Sequence, residues 1–242
     1  MTGVQTCALP ISPARGFFIV GTDTGIGKTR VAAALLHAYA ALGHRVVGMK
    51  PVAAGAELID GHWLNEDVAL LGAAGNVRAA PEAVNPYLFR EAIAPHIAAE
   101  HKGARIEIPR IRAAYDELAG QADVVVVEGV GGFLVPLSER TDTGDLALAL
   151  GLPLILVVGM RLGCINHALL SVEAIAARGL SLAGWVANRI DPEMRAYEEN
   201  LAALTRRIPA PMLAEAPWLT PCSPERLAAA FVPKKLATLL AA

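Results

Sequence analysis

The sequence predicts an α/β fold, a mostly parallel sheet flanked by helices on both faces, and three observations carry that reading. Runs such as DVVVV (Asp123–Val127) and LILVVG (Leu154–Gly159) are almost wholly apolar, whereas a strand with one wet face alternates. Helical stretches separate these runs, as strand–crossover–strand units require. The 242 residues are 54% hydrophobic, enough for a sizeable core, and no uninterrupted apolar run reaches the roughly 18 residues of a membrane span.

Taken in order, Phe17–Gly21 (FFIVG) reads as a strand ahead of a glycine loop, and Lys28–Leu42 as an Ala/Leu-rich helix stopped by Gly43. Arg45–Met49 (RVVGM) is a second strand and leads into Lys50 and Pro51. The stretch from Ala53 to Pro109, rich in Ala, Pro and Gly, is the least regular and is expected to hold long functional loops. Ile111–Ala119 reads as a helix before DVVVV. After Leu154–Gly159 come a helix over His167–Arg178, a strand over Ala183–Ala187 (AGWVA) and a helix over Pro192–Arg207. No internal repeat or linker divides the chain. The opening string MTGVQTCALPIS resembles the in-frame translation of a sequencing-library adapter and lacks the basic start of a targeting peptide. Residues 1–12 are therefore expected to be a non-native, disordered segment that includes Cys7, with the native start just before Arg15. Residues 15–242 are expected to form a single domain.

Charge and cysteine usage exclude several classes. A net charge of −2 leaves no basic footprint and argues against a nucleic-acid partner. Three scattered cysteines make no disulfide framework and suit a reducing, cytoplasmic setting.

The segment VGTDTGIGKTR (Val20–Arg30) carries the chemistry. The strict phosphate-loop pattern GxxxxGK[ST] wants glycine at position 22, where this chain has Thr22; Gly21 lies one residue early, so the loop reads as a longer variant, G-x5-G-K-T. Strand, glycine loop, Lys-Thr and helix stand in the order the mechanism needs. Backbone N–H groups and the helix N-terminus receive phosphates, Lys28 reaches the β and γ oxygens, and the Thr29 hydroxyl binds Mg²⁺. The alternative is an ordinary strand-to-helix turn with an exposed lysine.

A phosphate loop also needs acids near the metal. Glu128 ends the DVVVV run and is followed by Gly129, Val130, Gly131 and Gly132, small residues that leave room for metal and phosphates. Asp67 in LNEDVAL is a second candidate, although an Asp at a helix start is equally a cap or a dipole partner. Lys50 stands at a strand end, where ligands gather in parallel sheets. Lys28, Lys50 and Glu128 should converge there, and two lysines facing one phosphate would neutralise charge as the γ-phosphoryl moves to an anionic acceptor. The bland reading of Lys50 is an exposed loop lysine.

Several ordered stretches between Phe17 and Glu225 resemble the dethiobiotin synthetase family: GTDTGIGKT, KPVAAG, NPYLF with APHIAAE, VEGVGG, LILVVGMRLGCINHALL, GWVANR and IPAPMLAEAPWL. The lengthened loop is that family's own form. The resemblance implies a P-loop NTPase fold of the nitrogenase-iron-protein type working as a homodimer. It also implies a reaction, the ATP-dependent closure of a cyclic urea on 7,8-diaminononanoate with CO₂. In that reaction a carbamate oxygen attacks the γ-phosphate, and the second amine then displaces phosphate.

Carried onto this chain, the resemblance puts Lys50 and Lys28 in catalysis and Thr29, Asp67 and Glu128 on Mg²⁺. It assigns ATP to Thr24, Gly25, Ile26, Gly27, Lys28, Thr29 and Arg30, joined by Glu128, Gly129, Val130 and Gly131. Asn188, which on its own suits a strand-end turn, would bind adenine beside Arg189, Pro217, Trp218, Leu219 and Glu225; the spacing before Glu225 is one residue longer than the family's. Lys50, Ala54, Gly163, Cys164 and Asn166 would contact the diamine substrate. Asn166 is placed as the cap of the helix from His167, so that N–H groups of Gly163 to Asn166 would receive the substrate carboxylate, by resemblance in the partner subunit's active site. Cys164 reads as a small packed residue and His167 as a helix-start residue. Two departures stand out: Ala54 replaces a common Ser, and Gly25 stands where an acid is frequent.

Two other readings compete. A cobyrinate amidase-type ligase of the same superfamily would carry an added glutamine-hydrolysing domain with a Cys–His pair, which these residues do not supply. A non-synthetic ATPase switch would carry an early loop lysine (KGGxGKT), where this chain has Asp23.

Overall fold

The computed structural model describes residues 15–221 and 223–241, so the expectations for residues 1–12 lie outside it. Along β1 (Arg15–Gly21), Phe17 and Ile19 enter one hydrophobic cluster and Phe18 and Val20 another, all at most 1% exposed. Successive side chains leave a strand on opposite faces, so a run apolar at every position demands cover on both sides.

The chain supplies that cover in sequence. Helix α1 (Lys28–Ala41) follows β1, and β2 (Val46–Met49) is followed by a set of short elements. These are β3 (Val52–Ala54), β4 (Glu57–Ile59), β5 (His62–Leu64), α2 (Glu66–Ala74), α3 (Pro81–Val84), β6 (Tyr87–Phe89) and α4 (Pro95–His101). Then come α5 (Ile108–Ala119), β7 (Val124–Glu128), α6 (Thr143–Leu150), β8 (Leu154–Met160), α7 (Cys164–Ala177), β9 (Leu182–Arg189) and α8 (Tyr197–Arg207). The described chain closes with β10 (Met212–Ala216), α9 (Pro224–Ala228) and α10 (Pro233–Ala241).

The main sheet has six strands in the order β10-β9-β8-β1-β7-β2, and every pairing in it is parallel. This is the expected layered architecture. One face packs against α1, α2, α9 and α10, through Phe17, Ile19, Val126, Val157 and Val186. The other packs against α5 to α8, through Phe18, Val20, Val127, Leu156 and Val158. Helix α1 is buried around most of its circumference, which explains its run of alanines and leucines. It stops where Gly43 (φ 88°) takes the left-handed conformation that closes a helix.

Strand register sets the future site. β1 lies between β7 and β8, and Ile19 is level with Glu128. Met49 is level with Val127, so the next residues, Lys50 and Glu128, emerge side by side at the carboxyl rim. Gly48 lets α2 come close: a Cβ there would meet Leu71 Cβ at 2.9 Å, so the glycine is what brings Asp67 to the rim.

Several boundaries differ from the sequence reading. The helix expected over His167–Arg178 starts earlier, at Cys164, because Gly163 (φ 92°) caps it; the helix expected from Pro192 starts at Tyr197. The stretch from Ala53 to Pro109 is a chain of short elements rather than open loop. Helix α6 and strand β10 had no counterpart in the sequence reading. A capping box marks the first, with Asp142 accepting from Gly144 and Asp145 N–H while Asp145 accepts from Asp142 N–H. The second is an edge strand set between prolines, with Glu215 breaking its apolar run.

Candidate active site

The phosphate loop leaves the central strand β1 and enters α1. Thr22 N–H still donates to Val157 O (3.1 Å), which prolongs the sheet pairing by one residue, so position 22 needs no glycine. The loop reverses instead at Gly25 (φ 72°) and Gly27 (φ 82°), and Gly27 caps α1. Ile26 is 1% exposed and plugs the loop into the core, so only its backbone can face a nucleotide. Asn188 Nδ2 donates to Ile26 O at 2.7 Å, and a Cβ on Gly27 would collide with that amide.

Lys28, Lys50 and Glu128 are 6%, 3% and 1% exposed and meet at the rim. Lys50 Nζ donates to Glu128 Oε1 (2.6 Å) and Asp67 Oδ2 (2.8 Å), with Gly129 O at 3.4 Å. Lys50 is thus no exposed loop lysine. The Thr29 hydroxyl lies 2.7 Å from Asp67 Oδ1 and 2.9 Å from Glu128 Oε1, but its one hydrogen serves only one of them at a time. Lys28 Nζ donates to Asp23 O (2.9 Å), and the Asp23 carboxylate accepts from Thr24 N–H (2.7 Å) and Arg161 Nη2 (2.5 Å). Asp67 is free for this role because the helix cap is Asn65, whose Oδ1 accepts from Val68 N–H and whose Nδ2 donates to the Ala54 and Gly55 carbonyls.

Burial and charge shape the titration of this cluster. Burial works against the Lys50 charge, but Glu128 and Asp67 override it and hold the Lys50 pKa above the ordinary lysine value. Burial pushes the Glu128 carboxyl up against the pull of Lys50, and the negative Asp67 adds to the rise. Burial also opposes the Asp67 charge, yet Lys50 wins and its pKa is lowered. Lys28 differs from Lys50: burial, with Lys50 nearby, lowers its pKa to about 8 against the pull of Glu128.

That value has a measurable consequence. In the empty protein Lys28 is charged below about pH 8 and neutral above it, while phosphates placed beside it favour the charged form. ATP affinity should therefore fall above about pH 8, by up to tenfold per pH unit, with proton uptake on binding. Calorimetric titrations between neutral and alkaline pH in two buffers check this. A flat affinity with no proton uptake would contradict it.

The donor set fits Mg²⁺. Two carboxylates and a hydroxyl converge, and Glu128 Oε2 is buried without a hydrogen-bond partner among the described residues. Mg²⁺ favours such hard oxygens and completes its shell with water and substrate phosphates. Among the described residues no group of three or more His, Cys, Asp or Glu converges, so the protein alone offers no closed cage.

These residues line a cleft of about 720 Å³ that also takes in Thr24, Gly25, Gly27, Arg30, Ala54, Val130 and Gly131. Glu66, Leu70, Ala92, Ile93, Ala94, Pro95 and Val135 line it too, and sequence reasoning missed them as site residues. Glu66 could have been found as the neighbour of Asp67 at the helix start; the apolar ones carry no chemical signature.

Gly163 to Asn166, Asn188, Arg189 and Pro217 to Leu219 lie at or after the ends of β8, β9 and β10, and Glu225 lies on α9, all outside that cleft. Asn188 is level with Gly159 and Ala216. The Arg189 guanidinium is held within its own loop, over the Tyr197 ring at 4.6 Å and donating to Pro192 O. Pro217, Trp218 and Leu219 follow β10 directly, with Trp218 half-exposed. Glu225 projects from α9, 3.4 Å from His37 of α1. At α7 the cap is Gly163, so Asn166 is the third helical residue and not the cap. Cys164 N–H already donates to Arg161 O (3.0 Å), which removes it from the expected anion site. The Cys164 thiol is buried and its pKa raised by that burial, as suits a packed residue.

A central parallel strand feeding a glycine loop and a Lys-Thr helix start, with one acid at the neighbouring strand end and a second from the start of α2, defines a P-loop nucleotide-binding protein. A relative from Aromatoleum aromaticum, named ATP-dependent dethiobiotin synthetase BioD, is 61% identical over 217 residues, covering 90% of this chain and 96% of its own. The chain belongs to the dethiobiotin synthetase family. A second BioD relative, from Nitrosospira multiformis, is 56% identical over 204 residues, 84% of this chain and 88% of that one. The family described as AAA domain matches residues 15–226. The fold is shared with the septum site-determining protein MinD of Pyrococcus horikoshii, solved as a complex with Mg-ADP, at a TM-score of 0.57 and 18% identity, covering 93% of this chain and 94% of MinD. At that identity the likeness is one of fold alone.

Proposed function

We propose that this chain closes the ureido ring of dethiobiotin from 7,8-diaminononanoate, CO₂ and ATP, releasing ADP and phosphate. Family membership supports the reaction. The observation that carries the residue roles is the convergence of Lys28, Lys50, Asp67 and Glu128 in one cleft at the phosphate loop. A carbamate is a weak, anionic nucleophile, so its approach to a triphosphate needs positive charge held in place before the reaction. Lys50 is fixed by two carboxylates and stays charged; Lys28 reaches the phosphates from the first turn of α1.

Thr29, Asp67 and Glu128 would hold Mg²⁺, which when bound would offset phosphate charge. The amides from Thr24 to Arg30 would take the phosphates, together with the turn from Gly129 to Gly131. Asn188 holds the loop through Ile26, and with Arg189, Pro217, Trp218, Leu219 and Glu225 it would receive the base. The free N–H groups of Ile165 and Asn166 would receive the distant carboxylate. Lys50, Ala54 and the exposed Gly163 would complete the diamine contacts.

We place the enzyme in the cytoplasm as a homodimer of single-domain subunits. Among the described residues no helix is long and apolar enough to cross a membrane. Leu162, 92% exposed just before α7, and Leu170 on α7 give that segment an apolar surface suited to a second copy.

The direct test mixes the purified protein with Mg-ATP, labelled bicarbonate and diaminononanoate. Acid-stable label in a ureido product is the expected result. ATP consumed without that product would point to the nucleotide switch instead.

A further inference from the structure

We infer that Glu66, the first residue of α2, holds one amine of the diamine substrate. This rests on the ring-closure reading and deepens it. Three anionic side chains line the cleft, but two are committed: Asp67 and Glu128 both accept from Lys50 and share the one Thr29 hydroxyl hydrogen. Glu66 makes no hydrogen bond or ion pair among the described residues and is exposed at the cleft rim. The other walls offer little to an amine. Ala54, Leu70, Ile93, Val130 and Val135 are apolar, Gly25 has no side chain, and the Thr24 hydroxyl carries no charge.

An alkyl amine is protonated at neutral pH, much as lysine is. Lys28, Arg30 and Lys50 also line the cleft, and Lys50 occupies the Asp67 and Glu128 carboxylates, so Glu66 is the lining carboxylate left to face a protonated amine. It also lies next to Asp67, so an amine held there stays near the cluster assigned to the carbamate and the γ-phosphate. The role is recognition and placement of substrate, and the residue is specificity-determining.

The test is calorimetry of diaminononanoate binding to the full chain with Mg²⁺ and a non-hydrolysable ATP analogue. Glu66→Gln should raise the diamine Kd about tenfold, the loss of one charge-assisted hydrogen bond at a partly wet site, while the Kd of the ATP analogue does not follow. Glu66→Asp keeps the negative charge at the helix start but shortens the arm, so it should give a smaller rise; a purely helix-stabilising role would leave its diamine Kd unmoved. An unchanged diamine Kd in Glu66→Gln, or a parallel rise for the ATP analogue, overturns the inference. Ureido product from the unmutated chain is scored separately. Product formed with an unmoved Kd in Glu66→Gln defeats the role of Glu66 alone. Diamine binding without product defeats ring closure alone, and no diamine binding defeats both.

Discussion

Lys50→Met is expected to cut ring-closing turnover about a thousandfold and to lower unfolding free energy by about 3 kcal/mol. The first effect follows from removing a fixed cation where negative charge meets negative charge. The second follows from what the ammonium does in the resting protein. It lies 2.6 Å from Glu128 and 2.8 Å from Asp67, so its loss leaves a fully buried carboxylate without its counterion. From sequence alone, Lys50→Ala reads as a change that spares the fold; the burial of the cluster leads instead to an expected loss of stability. Added Mg²⁺ should recover more stability in the variant than in the unmutated chain, because it offers the two acids another cation. Denaturant unfolding with and without Mg²⁺, together with turnover below the variant's melting range, checks both effects. Near-normal turnover would remove Lys50 from the mechanism.

Glu128→Gln should separate the two effects. Turnover is expected to fall by about two to three orders of magnitude, with a higher Mg²⁺ requirement, because the carboxylate proposed to hold the metal is replaced by a neutral amide. Stability should change little. Burial already disfavours the Glu128 charge, Oε2 has no partner to lose, and the glutamine carbonyl can still accept from Lys50, which keeps Asp67. The pair of variants thus predicts unequal stability outcomes, a large loss and little change, from the two ends of one 2.6 Å contact. Titration of ATP turnover against Mg²⁺ reads the first effect and denaturant midpoints read the second. An unchanged Mg²⁺ dependence would take Glu128 away from the metal.

Much of this was legible in the chain because the relevant signals are local. VVVVE announces a doubly covered strand ending in an acid, and GIGKT announces a turn and a helix start, with no knowledge of what lies across the sheet. Register was not legible. That Lys50 comes level with Glu128 depends on which residues of β2 and β7 pair, and nothing within either segment states it. Asp67 was ambiguous for a related reason, since its sequence context suits a cap; only the pairing of Asn65 with Val68 frees it. The start of α7 went astray because Asn is a strong cap residue and outweighed Gly163, whose left-handed backbone ends the loop earlier. Glu66 and the apolar wall were missed because a cleft is a property of surfaces brought together from distant segments, and single residues give no sign of it.

The central claim is that Lys28 and Lys50 act on the same phosphoryl group beside Mg²⁺ held by Thr29, Asp67 and Glu128. Its most direct test is a crystal structure of the protein with Mg²⁺ and a non-hydrolysable ATP analogue. Both ammonium groups are expected within hydrogen-bond distance of γ-phosphate oxygens. A γ-phosphate reached by Lys28 alone, with Lys50 still turned to Glu128 and Asp67 and remote from it, would contradict the account.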